Sequence, residues 1–204
     1  MMRISECVGC KTFPCSDVRH ECYIVPGIEI DPQSISVVLI SESAPADLVN
    51  DYYAPGDPLF ARTTLLAFSD AGVQASSIYE LVERGVYFTT AVKCGKTGYG
   101  IQKATINECS KILEQELDLF PNGRAYLLMG DVAIQAVNEI SRRAGRGRVI
   151  PPGSTYKIRG PEFYFRGARA FPSYLQAGPS FGIEKSKRKM IAEDIAAAMA
   201  VIRP

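Results

Sequence analysis

The chain has 204 residues, 47% of them hydrophobic, and its 23 Lys and Arg nearly balance its 22 Asp and Glu. This composition argues against a disordered chain, and no apolar run reaches the roughly 18 residues that span a bilayer. A chain of this length can bury a core without disulfide bonds, so we expect one α/β domain over residues 1–204 and no membrane association. The near-neutral net charge gives no whole-molecule argument for nucleic-acid binding, which leaves only local basic patches to consider.

The spacing of apolar residues predicts strands and helices in alternation. In chain order they are a strand at 35–41, helices at 61–71 and 77–84, a strand at 86–92, a helix at 105–120, a strand at 125–129, a helix at 132–140, strands at 163–165 and 168–171, and a helix at about 183–202. The β-branched strands are typical of a sheet that is covered on both faces. We therefore predict a three-layer α/β/α fold around a central, mostly parallel four-stranded sheet.

The first residues lack the pattern of a secretion signal, so the expected compartment is a reducing cytoplasm. We also expect a monomer. The six cysteines then need a role other than disulfide bonding. Cys7 and Cys10 form a C-x2-C pair, Cys94 follows a strand, and Cys109 lies in the next helix. Four such thiolates can hold a zinc ion or a [4Fe–4S] cluster. The alternative is that Cys94 and Cys109 are small core residues and the early pair is incidental.

Candidates for acid and base chemistry are few. The one histidine, His20, lies in a loop-rich segment where an exposed or structural role is expected. Glu42 follows the first buried strand, and ligands of open α/β sheets bind at the carboxyl ends of strands. A solvated loop acid or a backbone anchor is an equally open interpretation of Glu42. Thr89 and Thr90 end the second strand and can place hydroxyls in the same crevice, although threonine is also a good strand residue.

Two basic clusters are suited to phosphate contacts. They are Arg142, Arg143, Arg146 and Arg148, and Lys185, Lys187, Arg188 and Lys189. Solvated loops and helix faces carry similar runs, so neither cluster alone indicates nucleic-acid binding.

The order of these features resembles the uracil-DNA glycosylase superfamily, in particular its iron–sulfur branch. The segments that carry the resemblance are Cys7-Val8-Gly9-Cys10, Ser41-Glu42-Ser43-Ala44-Pro45, Thr89-Thr90-Ala91-Val92-Lys93-Cys94, Cys109, and Leu127-Leu128-Met129-Gly130-Asp131-Val132-Ala133. The resemblance covers nearly the whole chain and implies a DNA-repair hydrolase that acts on damaged or single-stranded DNA. It also implies a [4Fe–4S] cluster on Cys7, Cys10, Cys94 and Cys109, with zinc as the alternative.

The site positions that the resemblance implies depart from the family pattern. Leu175 stands where the family has a histidine that stabilises charge on the departing base, a role that leucine cannot perform. Thr90 stands where an asparagine reads the edge of uracil. Leu59 stands where an aromatic ring stacks on the base, and Phe60 is the neighbour that can substitute. Tyr174, in the lead to Leu175, completes the implied substrate site.

Two functions are compatible with these departures. One is a glycosylase with weak or altered specificity, in which Glu42, Ser43 or Thr90 orients water and Gln176 contacts the base or leaving group. The other is a non-catalytic iron–sulfur protein that binds nucleic acid on the same fold. A zinc-stabilised α/β protein unrelated to DNA is a third interpretation, from a different class.

Overall fold

The described residues form eight strands, and six of them make one mixed sheet between two layers of helices. In the computed structural model, which describes residues 1–202, the strands are β1 (Met2–Arg3), β2 (Val18–Arg19), β3 (Glu29–Ile30), β4 (Val37–Ala44), β5 (Val86–Lys96), β6 (Ala125–Met129), β7 (Phe163–Phe165) and β8 (Ala168–Ser173). The helices are α1 (Ile4–Cys7), α2 (Leu59–Asp70), α3 (Ile78–Glu83), α4 (Lys103–Leu117), α5 (Asp131–Arg143), α6 (Thr155–Ile158) and α7 (Lys185–Ile202). Short 3-10 turns cover His20–Cys22, Leu48–Asn50 and Pro179–Gly182.

The sheet has the order β2-β5-β4-β6-β8-β7, and β1 pairs with β3 in a separate two-stranded ribbon. The four inner strands are parallel, which confirms the predicted fold class. The prediction of four strands is wrong, because β2 and β7 add antiparallel edges. β2 has only two residues, too few for any apolar alternation. The predicted helices are present, with ends shifted by up to three residues.

The inner strands are buried on both faces because α4 and α5 pack on one face and α2 and α7 on the other. Neighbouring residues of β5 point to opposite faces of the sheet and contact different helices. The hydroxyl of Tyr87 bonds to Glu116 of α4, and the Phe88 ring packs at 5.8 Å from the Phe68 ring of α2. Within residues 1–202, no helix is long and apolar enough to cross a membrane.

β4 and β5 both run past their predicted ends, to Ala44 and Lys96, because polar side chains continue the strands beyond the apolar runs. Their pairing shifts at this point: Ser43 is opposite Val92, but Ala44 is opposite Gly95. Residues 93 and 94 therefore bulge out of the ladder, an irregularity that re-aims side chains next to functional sites. Gly95 allows the close approach, since a Cβ there would lie 2.9 Å from the carbonyl oxygen of Pro45.

A fully buried ion pair joins this bulge to α4. Lys93 pairs with Glu116, and its Nζ also donates to the Thr89 hydroxyl and the Thr90 carbonyl, both at 2.7 Å. Glu116 Oε1 accepts hydrogen bonds from the hydroxyls of Tyr87 at 2.6 Å and Thr89 at 2.9 Å. Because every charge has a partner, the network can fix the end of β5 relative to α4 inside the core.

Candidate active site

A cavity of about 710 Å³ opens where β4 and β5 end, at the carboxyl edge of the sheet. The side chains that matter for its chemistry are Glu42, Ser43, Leu59, Phe60, Lys96 and Leu175. They come from the ends of β4 and β5, the start of α2 and the segment after β8. This position agrees with the expectation that ligands bind at the carboxyl ends of parallel strands.

A second cavity of about 450 Å³ adjoins the first, and Glu42 and Leu175 line both. Tyr174, Asp131 and Lys187 line the smaller one. The structure thus brings together every predicted catalytic and substrate residue except two, Thr90 and Gln176.

Thr90 and Gln176 are buried beside the cavity and do not line it. The Thr90 hydroxyl donates to the carbonyl of Val92 at 2.9 Å, within its own strand. Gln176 Nε2 donates to the Tyr52 hydroxyl at 2.8 Å and to Thr64 Oγ1 at 3.2 Å. These bonds support the floor of the cavity. Neither side chain is therefore placed to contact a base directly.

Tyr52 is the centre of that floor. Its hydroxyl donates to Ser41 Oγ at 2.8 Å, and its ring lies 5.4 Å from Phe60 and 5.6 Å from Phe88. Burial raises the pKa of Tyr52 well above its usual range, so the phenol stays neutral and acts as a structural hydrogen-bonding group. Sequence reasoning missed Tyr52 because it lies in an irregular stretch without periodicity.

Two acidic residues line the larger cavity, Glu42 and exposed Asp47. Glu42 is the more enclosed, with a side chain that is 19% exposed. Its Oε2 lies 3.6 Å from Nζ of Lys96. On its other side it rests against Gly130, where a Cβ would come within 2.6 Å of Oε1. Gly130 has a φ of 95° and precedes the first residue of α5, so the Glu42 carboxylate lies against the N-terminal end of that helix.

Lys96 was not predicted from the sequence. Its position depends on the bulge at residues 93 and 94, which advances β5 relative to β4 and brings Lys96 beside Glu42. The sequence offers one signal, a second lysine three residues after Lys93 at a strand end, but a register shift cannot be read from that spacing.

The first basic cluster lies away from the cavity. Arg142 is at the far end of α5, about 16 Å along the helix axis from Asp131. Arg142 pairs with Glu139, and Arg143 pairs with Glu114. Arg146 and Arg148 are exposed in the loop that follows. The structure does not bring this predicted cluster to the site.

One member of the second basic cluster, Lys187, reaches one of the cavities. Lys187 lines the smaller cavity, pairs with Glu184 at 2.8 Å, and places Nζ 5.5 Å from the centre of the Tyr174 ring. Lys185 is exposed in the first turn of α7. Arg188 pairs with Asp70 of α2 and is held by that contact.

Of the four cysteines predicted as ligands, Cys94 and Cys109 are buried, Cys10 is partly buried and Cys7 is exposed. All six cysteines are free thiols. Burial first, and then the neighbouring thiols Cys109, Cys10, Cys15 and Cys22, raise the pKa of Cys94 to about 12. Burial raises the pKa of Cys109 to about 11, with Cys15 and Cys10 contributing. Cys7 is exposed, and its thiol donates to the carbonyl of Arg3 at 3.5 Å.

Cys94 therefore has Cys109, Cys10, Cys15 and Cys22 as neighbouring thiols, and Cys7 lies at the surface. Within the described residues, no three Cys, His, Asp or Glu side chains form a group that could hold a single metal ion.

Asp17 connects the cysteine-rich segment to the start of α4. Its carboxylate accepts a hydrogen bond from the backbone N–H of Gln102 at 2.7 Å and another from the Thr105 hydroxyl. The Thr97 hydroxyl donates to the backbone carbonyl of Asp17 at 2.9 Å. Burial alone would raise the pKa of Asp17, but these hydrogen bonds outweigh burial and lower it. Asp17 acts as a helix cap supplied from a distant part of the chain.

The family model of the uracil DNA glycosylase superfamily matches residues 29–193. The chain belongs to this superfamily. The match confirms the resemblance and supports a DNA glycosylase-like function. It starts after the segment that carries Cys7, Cys10 and Cys15, so it leaves the iron–sulfur branch as a prediction. A search of curated proteins found no match.

Within this superfamily, the position that the resemblance assigns to histidine is Leu175, half-buried between the two cavities. The one histidine of the chain, His20, lies in the N-terminal segment, with its ring 5.3 Å from that of Phe13, and does not line either cavity.

Proposed function

We propose that this protein is a DNA N-glycosylase that hydrolyses the glycosidic bond of a damaged or deaminated base, uracil or another, with altered specificity. The observation that carries the proposal is the placement of Glu42 in an otherwise largely apolar cavity at the carboxyl edge of the sheet. A carboxylate held there can orient water towards the sugar carbon and stabilise the positive charge that develops on the sugar.

The walls of the cavity suit a base that has left the DNA stack. Phe60 offers an aromatic ring for stacking, and Leu59 and Leu175 exclude water around it. Ser43 supplies a hydroxyl near Glu42. The volume of about 710 Å³ is ample for one nucleotide, so size alone does not select a base. The polar groups that line the cavity have to make that selection.

Exposed groups at the rim fit contact with DNA. The Tyr99 side chain is fully exposed beside the larger cavity and offers a ring on which an unpaired base can stack. Lys187, beside the smaller cavity, and exposed Lys185 supply positive charge for phosphates.

The test is a panel of single-stranded and duplex oligonucleotides that contain uracil, hypoxanthine, xanthine or an alkylated purine. We expect release of at least one base, detected as an abasic site that alkali cleaves. A panel in which the purified protein binds DNA but releases no base would refute the proposal.

That outcome would support the second candidate, a non-catalytic iron–sulfur protein that binds nucleic acid. Leu175 at the histidine position and the inward-turned hydroxyl of Thr90 favour this candidate. Its signature is DNA affinity that falls as salt rises, without base release.

We further propose a [4Fe–4S] cluster, with zinc as the alternative occupant. We propose Cys10, Cys94 and Cys109 as three of the ligands, which have to draw closer together than they stand here to hold a metal. Cys15, a neighbour of Cys94, is the proposed fourth ligand in place of exposed Cys7. The backbone N–H of Phe13 already donates to Cys10 Sγ at 3.3 Å. When bound, the group would be structural, joining the N-terminal segment to β5 and α4 beside the DNA-facing edge.

A further inference from the structure

The missing histidine poses a chemical problem for the proposed reaction. When the bond between the sugar and a neutral base breaks, the electron pair goes to the base, which leaves as an anion. A preorganised cation or hydrogen-bond donor lowers the barrier by stabilising that charge. Leu175 offers neither, and the one histidine is elsewhere.

Lys96 is the cation that the larger cavity provides. It is the one Lys or Arg among the described residues that line this cavity. The nearby Lys93 is fully buried and held by Glu116, so it cannot reach the cavity. The Lys96 side chain, by contrast, is 36% exposed and bonds to no other acidic side chain than Glu42 among the described residues.

The Lys96 and Glu42 charges are 3.6 Å apart, a loose contact that leaves the ammonium free to donate to a ligand. Glu42 is fixed on its other side by Gly130 and the start of α5. One cavity therefore holds a fixed carboxylate and an adjustable ammonium, which are the two charges that a dissociating N-glycosidic bond requires.

We propose that Lys96 is a catalytic residue that replaces the missing imidazole by stabilising the departing base, an inference that rests on the proposed glycosylase function. In this reaction the bond between C1′ and the base nitrogen breaks, and its electron pair stays on the base beside the Lys96 ammonium. Water adds to C1′ and gives one proton to Glu42. The base anion takes a proton from solvent as it departs, and Glu42 returns its proton to solvent. Atoms and charge balance as hydrolysis by one water molecule.

This role also selects a substrate class. Keto bases such as uracil and hypoxanthine leave as anions and gain from a nearby ammonium. Purines alkylated at N3 or N7 are already cationic, leave as neutral molecules, and are repelled by it. Lys96 therefore fits deaminated bases and disfavours alkylated ones.

The test compares wild type, Lys96→Gln, Lys96→Arg and the surface control Lys111→Gln in single-turnover release of uracil, 5-fluorouracil and hypoxanthine. Lys111 lies on α4 and pairs only with its exposed neighbour Glu108. We expect Lys96→Gln to slow release of each accepted keto base by about 10²–10³-fold, with Lys96→Arg intermediate and the control unchanged. Melting temperature and DNA affinity should be unchanged, which excludes misfolding.

The decisive readout is the leaving group. 5-Fluorouracil forms a more stable anion than uracil, so its release should lose less from Lys96→Gln. Equal losses on both bases, an unchanged rate, or wild-type release of alkylated bases alone would overturn the role of Lys96 while leaving the glycosylase proposal standing. No base release by the wild type would overturn both.

Discussion

At the scale of single residues, the site depends on the contact between Glu42 and Gly130. Gly130 adopts a φ of 95°, which side chains rarely tolerate, and it also leaves the space that the Glu42 carboxylate fills. The same glycine directly precedes α5, so one position sets the start of the helix and the orientation of the proposed catalytic carboxylate.

We predict that Gly130→Ala lowers the free energy of unfolding by about 1–3 kcal/mol and slows base release at least tenfold. The backbone strain causes the first effect, and displacement of Glu42 by the new Cβ causes the second. The matched control is Gly160→Ala, because a Cβ there has open space and an ordinary φ. If both variants behave alike in melting and single-turnover assays, Gly130 has no special role.

The cysteines are the other prediction at this scale. Iron and sulfide per chain should fall sharply in Cys10→Ala, Cys94→Ala and Cys15→Ala, and they should persist in Cys7→Ala, because the Cys7 thiol is at the surface. Metal analysis after anaerobic purification measures this. Loss of iron in Cys7→Ala with retention in Cys15→Ala would restore the ligand set that the C-x2-C spacing implies.

At the scale of elements, the bulge in β5 determines which side chains reach the site. It sends Lys93 into the core and brings Lys96 to the cavity edge. The ion pair between Lys93 and Glu116 fixes that bulge against α4.

We predict that Lys93→Met or Glu116→Gln alone destabilises the fold, Glu116→Gln by about 3–5 kcal/mol because it leaves a buried ammonium without a counter-charge. The double variant should lose less than the sum of the two, since it leaves neither charge buried and Gln still accepts from Tyr87 and Thr89. Chemical denaturation of the three variants gives the coupling energy. Strictly additive losses would mean that the pair does not act as a unit.

Asp17 provides a pH-dependent link between the N-terminal segment and α4. Its pKa in the folded protein is below the ordinary value of 3.8, so its contribution to stability is present above that value. As pH falls through the lower folded pKa, protonation removes the contribution. The stability difference between wild type and Asp17→Asn should therefore be constant from about pH 7 to 5 and shrink at more acid pH. A difference that grows on acidification would have the wrong sign for this mechanism.

At the scale of the whole molecule, the parallel core could be predicted because its strands are continuous apolar runs between amphipathic helices. Glu42 could be placed at the carboxyl end of a parallel strand, whereas Leu175 was assigned to the same site only through the family resemblance. The edge strand β2 could not be predicted, because its two residues carry no pattern.

The errors in the site arise from geometry that sequence spacing does not encode. A two-residue register shift brings Lys96 into the cavity, and it could not be read from the chain. The length of α5 carries Arg142 to the opposite edge of the sheet. The cysteine ligands stay a prediction: the C-x2-C spacing favours Cys7, whereas Cys15 is one of the thiols near Cys94.

The most direct measurement is the amount of free base that wild type and Glu42→Gln release from deaminated DNA under single-turnover conditions, quantified by mass spectrometry. We predict release by the wild type and a rate about 10²–10³-fold lower for Glu42→Gln, with equal DNA affinity. Equal rates for the two proteins would place the chemistry outside this cavity. Binding without release by either protein would contradict the glycosylase function itself.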